Sequence, residues 1–156
     1  MDIRIYQISR ERDQNHVQFI GLEDLPKYQG KNMIDSSIYD AVYAGTVEAK
    51  TLEDVFRIFN IRHPIEYHAR SLSVSDVVEV ITGNHQVQPG YYFCDHIGFS
   101  TISFDPEKAH QSDRLHSQQS HERKIASFSE LVARADHKRT VPDQEKEYHE
   151  KICPER

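Results

Sequence analysis

RSLSVSDVVEV (residues 70–80) and, after a turn, YYFCDHIGF (residues 91–99) are the two stretches that decide the fold of this chain. The β-branched residues of VVEVI predict a strand, and YYFCD predicts a second, aromatic strand after a turn that contains Pro89 and Gly90. A third strand over residues 99–104 follows Gly98. We therefore expect an antiparallel meander over residues 76–104.

The segment before the meander predicts further strands and one helix. Residues 3–8 and 17–20 fit two short strands of an opening hairpin, and residues 37–47 fit another strand. Thr51 can cap the first turn of a helix, with acidic residues after it at the positive end of the helix dipole. The apolar positions of this helix recur at helical spacing; they are Leu52, Val55, Phe56 and Phe59.

These elements predict an α+β fold, with a mostly antiparallel sheet of about five strands and the helix of residues 51–59 packed on one face. Residues 1–105 would form this domain. Residues 106–156 are polar and hold five of the ten histidines. We expect them to form a helical or partly disordered C-terminal extension, with an amphipathic helix near residues 117–136.

Charge is distributed unevenly along the chain. Residues 1–105 carry 9 Lys and Arg against 15 Asp and Glu, whereas residues 106–156 carry 10 of each, so the net charge of −6 lies in the first part. Affinity for nucleic acid comes largely from clustered cations, so direct binding to duplex DNA is not expected. The same acidity could allow the domain to occupy a basic nucleic-acid channel of another protein.

The remaining composition argues against metal, disulfide and membrane chemistry. Cys94 and Cys153 are far apart and belong to no CxxC pair, which supports neither a zinc site nor a disulfide framework. The histidine pairs 63/68 and 116/121 are five residues apart, which does not place two ligands on one helix face. No signal peptide and no long apolar run is present. We expect a cytoplasmic protein without metal or cofactor, and no feature fixes its oligomeric state.

Five motifs occur in a fixed order: YDAVY, TLEDVF, FNIRHP, SLSVSDVV and YYFCDHIGF. In this order they resemble the YodL-like domain, a small module common in conjugative elements, plasmids and phages of Gram-positive bacteria. The resemblance covers roughly residues 3–105. Two positions depart from the family pattern: Arg62 replaces a common acid, and His96 replaces a common serine before IGF.

The resemblance implies a protein of a mobile element or phage that binds and modulates a host protein. The sharpest form of this hypothesis is a counter-defence inhibitor, anti-CRISPR or antirestriction, that obstructs the nucleic-acid channel of a CRISPR or restriction nuclease. On a strand, Ser71, Ser73 and Ser75 would share one face and could contact a partner. The predicted binding residues are Arg70, Ser71, Ser73, Ser75, Asp95 and His96.

Two alternatives remain open. A metal-independent ribonuclease could use histidines as general acid and base, with candidates His63, His68 and His96 and with Asp95 beside them. The family name suggests an inhibitor of a bacterial cytoskeletal or division protein. We favour the interaction module over the enzyme, because the sequence does not show that these histidines converge on one site.

Overall fold

The computed structural model describes residues 1–112 and residue 115, which contain a mixed six-stranded sheet and two α-helices. The elements are β1 (Asp2–Ile8), α1 (Leu25–Gln29), β2 (Tyr39–Thr46), α2 (Leu52–Ile61), β3 (Val77–Thr82), β4 (Gly90–Cys94), β5 (Phe99–Ile102) and β6 (His110–Gln111). The strand order across the sheet is β5-β4-β3-β1-β2-β6. This agrees with the predicted α+β class, but the sheet has six strands instead of about five.

The predicted meander is confirmed in β3, β4 and β5, which pair consecutively and antiparallel. The turn between β3 and β4 is tight, because the Asn84 amide donates to the Val87 carbonyl at 2.9 Å. A Cβ at Gly83 would lie 2.2 Å from the same carbonyl oxygen. Only glycine therefore fits at this position without a shift of the backbone.

β1 lies near the centre of the sheet and pairs antiparallel with both β2 and β3. Ile5 is opposite Tyr43, whereas Tyr6 is opposite Ala41, so Val42 is an extra residue in β2 and forms a bulge. The bulge moves the odd-numbered residues of β2 from one face to the other. Tyr43 consequently belongs to the core on one face, and Ala41 to the core on the other.

The sequence did not predict β6, which pairs parallel with β2 through His110 opposite Asp40. It is only two residues long and both are exposed, so it carries no apolar alternation that a pattern could reveal. Leu115 follows it and is 1% exposed within the core. Of the residues that we assigned to the extension, His110 and Gln111 thus belong to this sheet, and Leu115 belongs to the core. The predicted helix near residues 117–136 lies outside the described residues.

α2 begins at a capping box, which confirms the prediction that Thr51 caps the first turn. The Thr51 side chain accepts from the Asp54 amide, and the Asp54 carboxylate accepts from the Thr51 amide, both at 3.1 Å. Val55 and Phe59 on the inner face of α2 are fully buried against β1 and β3. Burial of an aromatic side chain of this kind contributes roughly 3 kcal/mol to stability.

The opposite face of the sheet carries a second, aromatic core. The centre of the Phe104 ring lies 4.8 Å from the centre of the Tyr6 ring and 5.4 Å from that of the Tyr39 ring. Phe93 is also fully buried in this core. These aromatic residues of the meander serve packing, as expected for cross-strand neighbours.

The predicted second strand of an opening hairpin is wrong. Residues 17–20 form turns, with Phe19 at a φ of +70°. The buried carboxylate of Asp13 accepts from the amides of Val17 and Gln18 at 2.9 and 3.0 Å. Because these amides bond to a side chain, they are not available to a neighbouring strand.

Candidate functional site

The loop between α2 and β3 is built around a buried ion pair. Asp76 is fully buried, and its Oδ2 accepts from the Ser73 amide at 2.8 Å and from Arg70 Nη1 at 2.9 Å. The other amino group of Arg70 bonds to Asp76 Oδ1. This bidentate arrangement fixes the guanidinium plane and closes the loop on itself.

The same cluster ties the loop to β1. Gln7 Nε2 lies 2.9 Å from the Arg70 carbonyl, 3.1 Å from the Tyr67 hydroxyl and 3.1 Å from Asp76 Oδ2. The Tyr67 hydroxyl in turn donates to the Arg70 carbonyl. A polar network thus extends from the centre of the sheet to the start of the loop. Buried networks of this kind specify one conformation when every member is bonded.

Burial changes the titration of the groups around this pair. Desolvation raises the pKa of Asp76 to about 6, although the positive charge of Arg70 acts in the opposite direction. Desolvation also raises the pKa of the Cys94 thiol to about 12. A buried, neutral thiol is a poor nucleophile, which argues against a catalytic role for Cys94.

The predicted strand that would place three serines on one face is wrong. The Asp76 amide donates to the Ser73 carbonyl at 3.1 Å, and Ser75 has a φ of +79°, so the chain turns here. Ser75 is fully buried, while Ser71 and Ser73 are partly exposed. The sequence pattern alternates, but the Asp76 carboxylate binds the local backbone and prevents an extended strand.

Ser75 joins three parts of the fold. Its Oγ accepts from the Phe19 amide at 3.0 Å, its carbonyl accepts from the Tyr39 hydroxyl at 2.8 Å, and its amide donates to the Cys94 carbonyl at 2.9 Å. Its neighbour Arg70 lies with its guanidinium carbon 5.0 Å from the centre of the Phe19 ring. Ser75 is therefore structural, and Arg70 combines an ion pair with a cation–π contact.

Asp95 and His96 form the turn between β4 and β5. The Asp95 amide donates to the Gly98 carbonyl at 3.0 Å, and Gly98 has a φ of +69°. The Asp95 carboxylate accepts from the His96 amide at 2.9 Å. Ile97 lies between His96 and Gly98, and its side chain is 95% exposed. A tight turn therefore presents a large apolar side chain to solvent.

A groove of about 410 Å³ separates this turn from the outer side of α2, and we name it the turn groove. Its lining includes Phe56, Asn60 and Ile61 from α2 and Asp95, His96 and Phe99 from the turn and β5. Of the predicted site residues, Asp95 and His96 line the groove. Arg70, Ser71, Ser73 and Ser75 lie in the neighbouring loop and do not.

Two of the candidate catalytic histidines, His63 and His68, lie in the loop after α2, whereas His96 lies in the turn between β4 and β5. His63 Nε2 is 3.4 Å from Ser71 Oγ, and its ring centre is 5.4 Å from that of Tyr67. His96 lies in the turn groove, and within the described residues no hydrogen bond or ring contact joins it to His63. His68 is exposed on the loop after α2. General acid and base catalysis requires two such groups to reach one substrate, and His63 and His96 are not paired in that way.

Residues 1–112 and 115 contain no cluster of three His, Cys, Asp or Glu side chains placed to hold a metal ion. In the same part of the chain, no helix has the length and apolar character needed to cross a membrane.

The model of the YodL-like domain matches residues 2–104. The chain belongs to the YodL-like domain family. The family prediction is thus confirmed, over almost the same residues as the ordered motifs. No curated protein and no solved structure matches the chain.

Sequence reasoning missed several residues that shape the site of this YodL-like domain. Gln7 bonds to Tyr67 and to Asp76 across separations of 60 and 69 positions, which no local motif marks. Asp76 accepts from the Ser73 amide three residues before it, a local contact that is typical of aspartate in a turn. The one available signal for Ile97 was an apolar residue before Gly98 in a short turn, where polar residues are usual.

Proposed function

We propose that this YodL-like domain is an inhibitor module of a mobile element or phage, and that it binds a host protein through the turn groove and Ile97. The exposed apolar surface supports this most directly: Ile97 is 95%, Ile61 72% and Phe56 39% exposed. Clustered apolar side chains on a surface are typical of protein interaction sites. An isoleucine at the tip of a tight turn would fit a pocket of a partner.

The partner we propose is a CRISPR or restriction nuclease, bound at its nucleic-acid channel. Residues 1–105 carry 15 acidic side chains against 9 basic ones. Four of these basic side chains form ion pairs within the domain, namely Arg4, Arg12, Lys27 and Arg70. The negative potential that remains would favour encounter with a basic channel and oppose binding to the nucleic acid itself.

Affinity capture from the host with the full chain as bait tests this proposal. The informative variant is Ile97→Asp, which places a charge at the proposed contact without altering a buried group. The matched control is Met33→Asp, because Met33 is 74% exposed and lines a different cavity beside β5. We expect the wild type and the Met33 variant to retain a nuclease, and the Ile97 variant to lose it by about tenfold or more.

The captured nuclease is then assayed for binding to its guide RNA or DNA target. Inhibition by the wild type and loss of inhibition by Ile97→Asp would support channel obstruction. Capture of a cytoskeletal or division protein would instead favour that alternative. Cleavage of labelled guide-type RNA by the purified chain, lost in His63→Ala or His96→Ala, would contradict the binding function.

A further inference from the structure

The outer side of α2 carries a second groove, which shares Arg57 and Ile61 with the turn groove. We name it the α2 groove. It has a volume of about 660 Å³, and its lining includes the cations Lys50, Arg57 and Arg62 and the apolar side chains Ile58 and Ile61. A cationic, partly apolar groove stands out in a domain whose net charge is negative.

None of the three cations of the α2 groove forms an ion pair with another residue that the structure describes. Residues 1–112 contain ten Lys and Arg side chains, and five of them form ion pairs with described residues: Arg4, Arg12, Lys27, Arg70 and Lys108. The other five, unpaired within the described part of the chain, are Arg10, Lys31, Lys50, Arg57 and Arg62. Three of these five converge on one groove.

Two acidic residues of the lining, Glu48 and Asp54, balance part of this positive charge. The Asp54 carboxylate accepts from the backbone amides of Lys50 and Thr51 at 3.1 Å, so it serves the helix cap. Glu48 is the other acid of the lining. Three cations against two acids leave the groove an excess of one positive charge, beside the apolar side chains of Ile58 and Ile61.

We propose that the α2 groove binds an acidic segment of a partner protein that also carries an apolar side chain. Guanidinium groups bind carboxylates with two parallel hydrogen bonds, and the isoleucines would accept a leucine-like side chain. α2 has ten residues and is about 15 Å long, which corresponds to four or five residues of an extended peptide. Three cations within an acidic domain are too few for a phosphate backbone, whose affinity requires many contacts.

The proposal does not depend on the partner assigned above: the two grooves share Arg57 and Ile61, but the ligand chemistry differs. The probe is a fluorescein-labelled peptide of sequence DELDEL, with NQLNQL as its neutral counterpart. Anisotropy titrations use the full chain at about 0.05 M salt and again at about 0.3 M. We expect saturable binding of the acidic peptide, weakened by salt, and binding of the neutral peptide at least about tenfold weaker.

The decisive comparison uses two double variants with the same change in net charge. Arg57→Glu with Arg62→Glu should lower the affinity for DELDEL at least about tenfold. Arg10→Glu with Lys31→Glu reverses two exposed, unpaired cations elsewhere and should change it less than about twofold. All four side chains are exposed, so circular dichroism should show both variants folded.

Three results would overturn the proposal. The first is the absence of saturable binding of the acidic peptide to the wild type. The second is an equal loss of affinity in both double variants, which would indicate a net-charge effect. The third is tighter binding of a single-stranded RNA through the same arginines, which would show that the groove binds nucleic acid and not an acidic peptide. Ile97→Asp should leave peptide binding unchanged, so failure of the function proposed above and failure of this site are distinguishable.

Discussion

Replacement of Arg70 by methionine tests the buried ion pair most directly. The substitution keeps an unbranched apolar stem but leaves the carboxylate of Asp76, which is 0% exposed, without its cation. The amide of Ser73 and the side chain of Gln7 still donate to it. Removal of one partner from a buried pair typically costs 3–5 kcal/mol, so we expect a loss of about 3 kcal/mol in the free energy of unfolding near pH 8.

The size of this loss should depend on pH. The folded-state pKa of Asp76 is raised from 3.8 to about 6, so the folded protein binds a proton that the unfolded chain does not bind between these values. The contribution of Asp76 to stability is therefore fully present below pH 4 and falls as the pH rises through about 6. Without Arg70, only the hydrogen bonds from Ser73 and Gln7 oppose the effect of burial, so the pKa of Asp76 rises further and the fall in stability extends to higher pH. The difference between wild type and variant should grow from pH 5 to pH 8, by about 1.4 kcal/mol for each unit of added pKa shift.

Urea denaturation at several pH values, followed by circular dichroism, measures this difference. The matched control is Arg70→Met combined with Asp76→Asn, because asparagine carries no charge and can still accept from Ser73. This double variant should show little pH dependence between pH 5 and pH 8. The reasoning would be refuted if Arg70→Met lowered the free energy of unfolding by less than about 1 kcal/mol at pH 8, or by the same amount at pH 5 and pH 8.

Three further predictions concern the core, a turn and a thiol. Phe59→Ala should lower the free energy of unfolding by about 3–5 kcal/mol in urea titrations, because Phe59 is fully buried. Gly83→Ala should cost about 1–3 kcal/mol and shift amide resonances of the β3–β4 turn, since its Cβ would lie 2.2 Å from the Val87 carbonyl oxygen; an unchanged spectrum would contradict this. In a Cys153→Ser background, Cys94 should not react with a thiol reagent at pH 8 until urea unfolds the chain, because it is 2% exposed and burial raises its pKa to about 12.

The elements that the sequence predicted well are those that local chemistry determines. The cap at Thr51 and the helical spacing of Val55 and Phe59 specify α2 without help from distant residues. β3 and β4 combine β-branched and aromatic residues with a turn that only Gly83 can make. These signals lie within a few residues of each other, so a pattern can reveal them.

The errors arise where a side chain replaces a backbone partner. Asp13 accepts from the amides of residues 17 and 18 in a predicted strand, and Asp76 accepts from the amide of Ser73 in the predicted serine strand. β6 was missed for a different reason: its pairing with β2 depends on the neighbouring strand and not on the pattern of its own two residues. The candidate site was located only in part: Asp95 and His96 line the turn groove, but Ile97 was not predicted.

The geometry separates residues that position the turn groove from residues that would contact a partner. The Ser75 amide donates to the Cys94 carbonyl, and the Cys94 amide donates to the Asp76 carbonyl at 2.8 Å, so the loop around the ion pair holds the end of β4. The turn that presents Ile97 begins at the next residue. Arg70 and Ser75, which we predicted as contacts, lie in this loop. Loss of partner binding in an Arg70 variant would report displacement of the turn together with loss of any direct contact, whereas Ile97 tests the contact alone.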